Sequence, residues 1–346
     1  MARRAECYVE KSRGPMSDIP EVYIMKALMF ERFGGPEVLY YAEAPDPPMK
    51  PGTALVRMKA AGLNFADIYR RRGGYYLAGD PPYILGYEGA GIVEQVSSDL
   101  DGIRAGDRVA FADVPFANAE LVSAPADRLI PLPYDISFEQ AAAILLQGLT
   151  AHYLVHDSYH VRPGDDVVIH AAAGGVGQLL IQMSKNKGAR VAGITSSNAK
   201  REAALKAGAD EVLFYDDDWV HDVIGWSQSG CGANVVYDSI GSTLMNSFAA
   251  VQTKGTVVFF GMAGGDPPNI DPRMLMDSSK SLVGGDLWNH LTTRNQRLER
   301  AETLFADLRM GRLELEEPKQ FALEDGEAAH RLLEGRGNTG KILLIP

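Results

Sequence analysis

Residues 171–177, Ala-Ala-Ala-Gly-Gly-Val-Gly, constrain this chain most, because they join an apolar run to a helix-patterned run with almost no side chain between. Upstream, Asp166-Val167-Val168-Ile169-His170 reads as a buried strand. Downstream, over 176–187, Leu180, Ile181 and Ser184 recur at the three- and four-residue spacing of a helix. A glycine-rich turn from strand to helix lets backbone N–H groups meet a pyrophosphate at the positive end of the helix dipole. The spacing is Ala171-x-x-Gly174-x-x-Gly177, so alanine holds the first glycine position of the dinucleotide fingerprint.

The pattern continues after the turn. Strands are expected at 190–195, 211–215, 234–238 and 256–260, with helices at 199–207, from about 219, and near 244–251. Short apolar strands alternating with helices point to a doubly wound parallel sheet. At the end of its second strand the chain reads Thr195-Ser196-Ser197-Asn198-Ala199-Lys200-Arg201, without the acid that NAD binders use for the ribose 2′-hydroxyl. Small hydroxyls followed by two cations suit a 2′-phosphate, which favours NADPH over NADH. Ser197 or Asn198 also reads as the cap of the next helix, with Lys200 and Arg201 in solvent.

At 346 residues, two domains are expected. The net charge of −11 disfavours nucleic acid and anionic membrane as partners, since the field would repel phosphate. No apolar run approaches the length of a membrane span. Two cysteines, Cys7 and Cys231, exclude a disulfide framework and fit a reducing cytoplasm. Residues 1–24 read as a poorly ordered tail. His152, His156 and His160 would share one helix face, but no carboxylate or cysteine joins them at ligand spacing, so a solvent-facing helix is expected. His170 reads as a packed histidine rather than a catalyst.

The region before the glycine turn differs in character. Short strands at 26–30, 54–59, 91–96 and 107–110, separated by Gly- and Pro-rich turns, suggest a small irregular antiparallel barrel. Residues 62–69 interrupt it and start a short helix. After the sheet, helices are expected at 295–311 and within 321–334, and a last strand at 341–345. This tail should return to the barrel and leave the active site in the cleft between the domains.

With both halves in view, ordered blocks run from Met25 to the C-terminus. They include Phe33-Gly34-Gly35-Pro36-Glu37-Val38-Leu39, Gly62-Leu63-Asn64-Phe65-Ala66-Asp67, Gly86-Tyr87-Glu88-Gly89-Ala90-Gly91, Gly106-Asp107-Arg108-Val109 and Gly148-Leu149-Thr150. Tyr237-Asp238-Ser239-Ile240-Gly241 and Gly340-Lys341-Ile342-Leu343-Leu344-Ile345-Pro346 complete the set. In these the chain resembles the zinc-independent quinone oxidoreductase (zeta-crystallin-like) branch of the medium-chain dehydrogenase/reductase superfamily. The resemblance implies an α/β architecture: a GroES-like irregular β-barrel catalytic domain (25–148 and 289–346) and a Rossmann doubly wound parallel-sheet NADPH-binding domain (149–288). Zinc-dependent relatives ligate metal through a cysteine near the Asn64 block and a histidine in Gly-His-Glu. Here the first region lacks cysteine and the second motif is Gly86-Tyr87-Glu88, which implies that no metal takes part.

The resemblance also implies contacts. Asn64 and Thr150 should lie near the nicotinamide and ribose, and Gly174, Gly175, Val176 and Gly177 at the pyrophosphate. Ser196, Lys200, Tyr215 and Arg336 match positions that hold the 2′-phosphate. Phe260 and Gly261 should line the nicotinamide side, and Tyr69, with Tyr75 or Tyr76, the substrate pocket. The expected reaction is hydride transfer from NADPH to a small electron-poor acceptor, a quinone or conjugated enone, with Asn64, Tyr69 or Thr150 donating a hydrogen bond to its oxygen. A competing reading is an enoyl-thioester (coenzyme A or carrier-protein) reductase, for which Arg70-Arg71-Arg72 would be a basic entrance unless it is merely solvated. A further alternative is a non-enzymatic NADPH-binding protein. By analogy, a homodimer should form through the Rossmann sheet edge at 280–287.

Overall fold

The structure, a computed structural model, describes residues 24–98, 102–215, 218–335 and 337–346. The expected tail thus lies outside the described residues, apart from Ile24, which opens the first strand. Six strands form one parallel sheet in the order Glu211–Phe214, Arg190–Thr195, Asp166–His170, Ala233–Asp238, Val251–Phe259, Ser281–Gly284. This is the doubly wound order 3-2-1-4-5-6, whose reversal lies between Asp166–His170 and Ala233–Asp238. Both faces are covered, so the strands read as continuous apolar runs. Val167, Ile169, Val235 and Tyr237 pack into one cluster with Leu180 and Ile181, while Val168 and Val236 face the other with Trp219 and Phe248. That alternation is the two-residue period of a strand.

The barrel is organised around the long strand Thr53–Leu63, which pairs antiparallel with Gly89–Val96, Leu121–Pro125 and the C-terminal Ile342–Ile345. The sheet continues through Arg108–Phe111 to Ile130–Pro131 on one side and Lys319–Ala322 on the other. A smaller sheet of Tyr40–Pro45, Ile24–Phe30 and Tyr83–Ile84 closes the wall. The tail therefore does return to the barrel: Ile342 sits opposite Leu63.

One helix, Phe138–Tyr153, carries the chain from barrel to sheet, capped reciprocally by Ser137 and Gln140. The boundary expected at 148/149 falls inside it, so the halves share a continuous helix rather than a linker. Gly148 lets Arg294–Arg309 approach closely, since a Cβ there would lie 2.9 Å from a Leu304 methyl.

The histidine stripe requires correction. The helix ends at Tyr153 and widens into a π-turn over Leu154–Ser158, so the 3.6-residue period does not persist. His152 is half-buried and accepts from Arg300 Nη1 at 2.9 Å, with burial pushing its pKa down to about 4. His156 stacks on His152, and His160 lies beyond the helix. Among the described residues no helix is long and apolar enough to cross a membrane.

Candidate active site

The strand Asp166–His170 leaves the sheet into Ala171, whose φ of +48° is left-handed. An L-residue there costs about 1–2 kcal/mol. Gly174 then caps Gly175–Asn186 without any side-chain cap or first-turn acid. Ser137, Ser197 and Thr293, by contrast, cap their helices with side-chain oxygens. A helix leaves its first-turn N–H groups without intrahelical acceptors, and of those here the N-cap N–H, that of Gly174, donates to Ala171 O. The position suits a pyrophosphate. Gly177 must be glycine, because a Cβ would collide with the Ala171 carbonyl oxygen and the Ala172 backbone. The C-terminal tail crosses this turn, with Gly340 N donating to Ala173 O at 3.2 Å.

At the end of Arg190–Thr195, Ser197 caps the next helix through Lys200 N, and Lys200 Nζ donates to Ser196 Oγ at 3.2 Å. Ser196 and Lys200 thus stand together. Tyr215 Oη lies 3.0 Å from Ala171 N and 3.1 Å from His170 Nδ1. His170 is buried and packed, as its sequence position implied. Arg336 lies outside the described residues.

Facing the glycine turn is a wall of side chains. Asn64 follows Thr53–Leu63 and precedes Phe65–Arg71, where its N–H donates to Asp67 Oδ2 and its backbone carbonyl oxygen accepts from Asp67 N. Its Nδ2 donates to Glu88 Oε2 at 2.9 Å and Gly62 O at 3.2 Å. Its Oδ1 accepts from Lys341 Nζ at 2.8 Å and Gln147 Nε2 at 3.4 Å. An amide has two donors and two acceptor sites, so Asn64 is fully committed inside the protein. It cannot donate to an acceptor oxygen without releasing Glu88 or Gly62, contrary to expectation; the geometry makes it an oriented spacer.

Glu88 is fully buried. It also accepts from Leu146 N at 2.6 Å and pairs with Lys341 Nζ at 2.6 Å, itself 5% exposed. Gly62 leaves room for this carboxylate, which a Cβ would strike. Glu88 and Lys341 stand within the ordered motifs of the sequence without a role of their own there, and Gln147 lies in none of them. The signal available for the first two was two ionisable groups in otherwise apolar strand contexts. Gln147 also packs against Gly175, and a cavity of about 20 Å³, room for one water, lies where Gln147, Gly175, Gly340 and Lys341 meet.

Thr150, one helical turn beyond Gln147, donates its hydroxyl hydrogen to Leu146 O at 2.7 Å. It can accept, but that hydrogen is committed. Tyr69 differs. Its Oη accepts from Met262 N at 3.1 Å, and its hydrogen has no acceptor among the described residues. Burial raises its pKa, so the group is a phenol that donates. Of the three expected donors, Tyr69 alone keeps a hydrogen for a ligand. Tyr75 Oη bridges to Asp286 Oδ2 at 3.2 Å, whereas Tyr76 is 76% exposed. Phe260 and Gly261 leave the end of Val251–Phe259 half-buried, with Phe260 N on Asp238 O.

Two of the three arginines in the run, Arg70 and Arg71, are neither solvated nor placed as a basic entrance. Arg70 and Arg71 are 2% and 0% exposed. The Arg70 guanidinium lies 3.7 Å over the Tyr87 ring and donates to Tyr76 O, and Arg71 pairs with His330, Glu334 and Gly34 O. Arg72 is the exposed member. The resemblance puts the zinc ligands of the metal-dependent relatives near Asn64 and at Tyr87, and the side chains of these two residues do not fit zinc. Asn64 has no free lone pair. Tyr87 accepts from Ala78 N, burial holds its phenol protonated, and a cation already covers its ring.

Comparison with known proteins agrees with this geometry. Residues 50–166 match the alcohol dehydrogenase GroES-like domain and residues 175–302 the zinc-binding dehydrogenase family. The chain is 37% identical over 324 residues to a quinone oxidoreductase of Pseudomonas aeruginosa, covering 93% of this chain and 99% of that one. It is 33% identical to a Burkholderia 2-haloacrylate reductase, with 93% and 99% covered. The crystal structure of Escherichia coli quinone oxidoreductase complexed with NADPH superposes with a TM-score of 0.89 at 36% identity, over 93% of this chain and all of that one. Barrel, 3-2-1-4-5-6 sheet, glycine turn and metal-unfit Asn64–Tyr87 pair together place this chain in the quinone oxidoreductase branch of the medium-chain dehydrogenase/reductase superfamily.

Proposed function

We propose that the protein is an NADPH-dependent reductase that reduces quinones or related conjugated enones without a metal. The observation that carries this reading is the cleft itself. An uncapped helix start faces a wall whose amide and threonine donors are committed internally, leaving the Tyr69 phenol to meet an acceptor oxygen. NADPH, when bound, supplies the hydride. Gly174, Gly175, Val176 and Gly177 offer backbone donors to its pyrophosphate, and Ser196 with Lys200 and Arg336 suit its 2′-phosphate, whereas the Tyr215 hydroxyl is held by His170 and Ala171. Asn64, clamped by Glu88 and Lys341, orients the nicotinamide end, with Thr150 accepting from it and Phe260 and Gly261 at its side. Tyr69 hydrogen-bonds the acceptor oxygen as negative charge develops there.

The chain division that goes with this reading assigns 25–148 and 289–346 to the catalytic domain and 149–288 to NADPH. Ser281–Gly284, at the edge of the parallel sheet, supports a homodimer formed edge to edge. The exposed Cys231 thiol suits a reducing cytoplasm. Burial of Arg70 and Arg71 removes the basic entrance that a coenzyme A thioester would need.

The test is NADPH oxidation with 9,10-phenanthrenequinone, 2-cyclohexenone and crotonyl-CoA, with EDTA present and NADH as control. Chelator-insensitive reduction of the quinone or enone, faster with NADPH, is expected. Activity confined to crotonyl-CoA would overturn the acceptor assignment, and none with NADPH the activity itself.

A further inference from the structure

Beneath the glycine turn lies a buried polar cluster that the proposed reaction does not use. His170 is 1% exposed, with Trp219 edge-on to its ring. Its Nε2 is 3.0 Å from Ser247 Oγ, which lies 2.7 Å from Asp238 Oδ2. Asp238 is fully buried and receives donors throughout: Thr243 Oγ1 at 2.8 Å, Ile240 N at 2.8 Å and Gly241 N at 3.0 Å. Burial opposes its ionisation, but His170 and these bonds outweigh burial and hold the carboxyl below its usual range.

The hydrogens can then be placed by elimination. A carboxylate only accepts, so the hydroxyl hydrogen of Ser247 goes to Asp238 and its lone pair takes His170 Nε2–H. Burial keeps the imidazole neutral, with a pKa of about 4. A neutral ring protonated on Nε2 presents a bare Nδ1, which takes the Tyr215 hydroxyl hydrogen. Tyr215 Oη in turn accepts Ala171 N–H. Four hydrogen bonds run in one direction, Ala171 to Tyr215 to His170 to Ser247 to Asp238. They start at the residue held at φ +48°, where the fingerprint has glycine.

We propose that His170 is a positioning residue for nucleotide binding: through Tyr215 it holds Ala171 left-handed and so sets the glycine turn for the pyrophosphate. Alanine is tolerated at that position because the chain behind it supplies what glycine would give by conformational freedom. The inference rests on the nucleotide-binding reading above.

The experiment measures NADPH and NADH dissociation constants by fluorescence, with a thermal melt of each variant to establish folding. His170→Phe should weaken both nucleotides by the same factor, about tenfold, because they share the pyrophosphate. Ser247→Ala, one step further from the turn, should weaken both less, and serves if His170→Phe does not fold. Adding Ala171→Gly to either variant should return affinity to within about twofold of wild type, since glycine adopts positive φ unaided. Unchanged affinity in folded His170→Phe and Ser247→Ala would overturn the proposal. So would a loss confined to NADPH, or one that Ala171→Gly does not restore. Failure of the wild type to bind either nucleotide would instead overturn the reading on which the proposal rests.

Discussion

The glycine wall takes its ligand-facing groups from consecutive residues, 171–177, whereas the opposite wall gathers Asn64, Glu88, Gln147 and Lys341 from positions up to 277 residues apart. The first presents backbone N–H groups made available by chain geometry. The second consists of side chains that neutralise one another, while the Tyr69 hydroxyl hydrogen has no acceptor among the described residues. A binding surface can thus be specified locally, while an orienting surface in a buried site has to be assembled by the tertiary fold. The two walls should therefore fail differently when disturbed.

The largest effect is expected at Glu88. Glu88→Gln leaves the buried Lys341 ammonium without its carboxylate, and breaking a buried pair by removing one partner costs about 3–5 kcal/mol. Urea denaturation should show that loss, and adding Lys341→Met should recover much of it. If the double variant is no more stable than Glu88→Gln alone, the two groups are not a coupled pair. Next comes the glycine wall. At Gly177 an added Cβ meets backbone, which cannot step aside. Overpacking costs about 1–3 kcal/mol, so Gly177→Ala should raise the NADPH Kd roughly tenfold or more. An unchanged Kd would mean that this turn does not seat the nucleotide.

Acid probes both walls at once. His170 lies behind the glycine wall, and His330 contacts Arg71 behind the other; burial pushes their pKa values to about 4 and about 3, the latter helped by Arg71. Both rings stay neutral in the fold where the unfolded chain would protonate near pH 6.5. Their contribution is complete above that pH and is lost progressively below it as pH falls toward the folded values, by about 1 kcal/mol per histidine between pH 6.5 and 5.5. His330→Phe should flatten the slope of stability against pH in that window, and an unaltered slope would contradict a neutral buried ring. The smallest change is Gly175→Ala. Its Cβ meets the end of the Gln147 side chain, which can move. Kd should change by no more than about threefold, about 0.7 kcal/mol, and a loss as large as that of Gly177→Ala would show Gln147 to be rigid.

How much was legible follows the same division. The strand Asp166–His170, the turn and the order of the later strands could be read because their signals are local: apolar runs, glycines and a two-residue period. The strand expected at 54–59 extends to Leu63, since Ala60 and Ala61 are buried by partners on both sides rather than by anything in the local pattern. The run Arg70-Arg71-Arg72 looked solvated because its partners, Tyr87, His330 and Glu334, come from elsewhere in the chain. The His152 stripe looked helical because a π-turn has no signature at that spacing. Asn64 is legible as a candidate within its block, but the donor role expected for it meets Gly62 O beside it and the distant Glu88, which take its amide hydrogens.

The central claim is that one wall binds and the other orients, with Tyr69 the donor to the acceptor. The most direct test is single-turnover oxidation of NADPH by 9,10-phenanthrenequinone in Tyr69→Phe, with the NADPH Kd measured on the same sample. A hydrogen bond to developing charge is worth about 1.5–3 kcal/mol, so the rate should fall roughly ten- to a hundredfold while Kd stays within about twofold. An unchanged rate, or a rate and affinity that fall together, would contradict the division of labour between the walls.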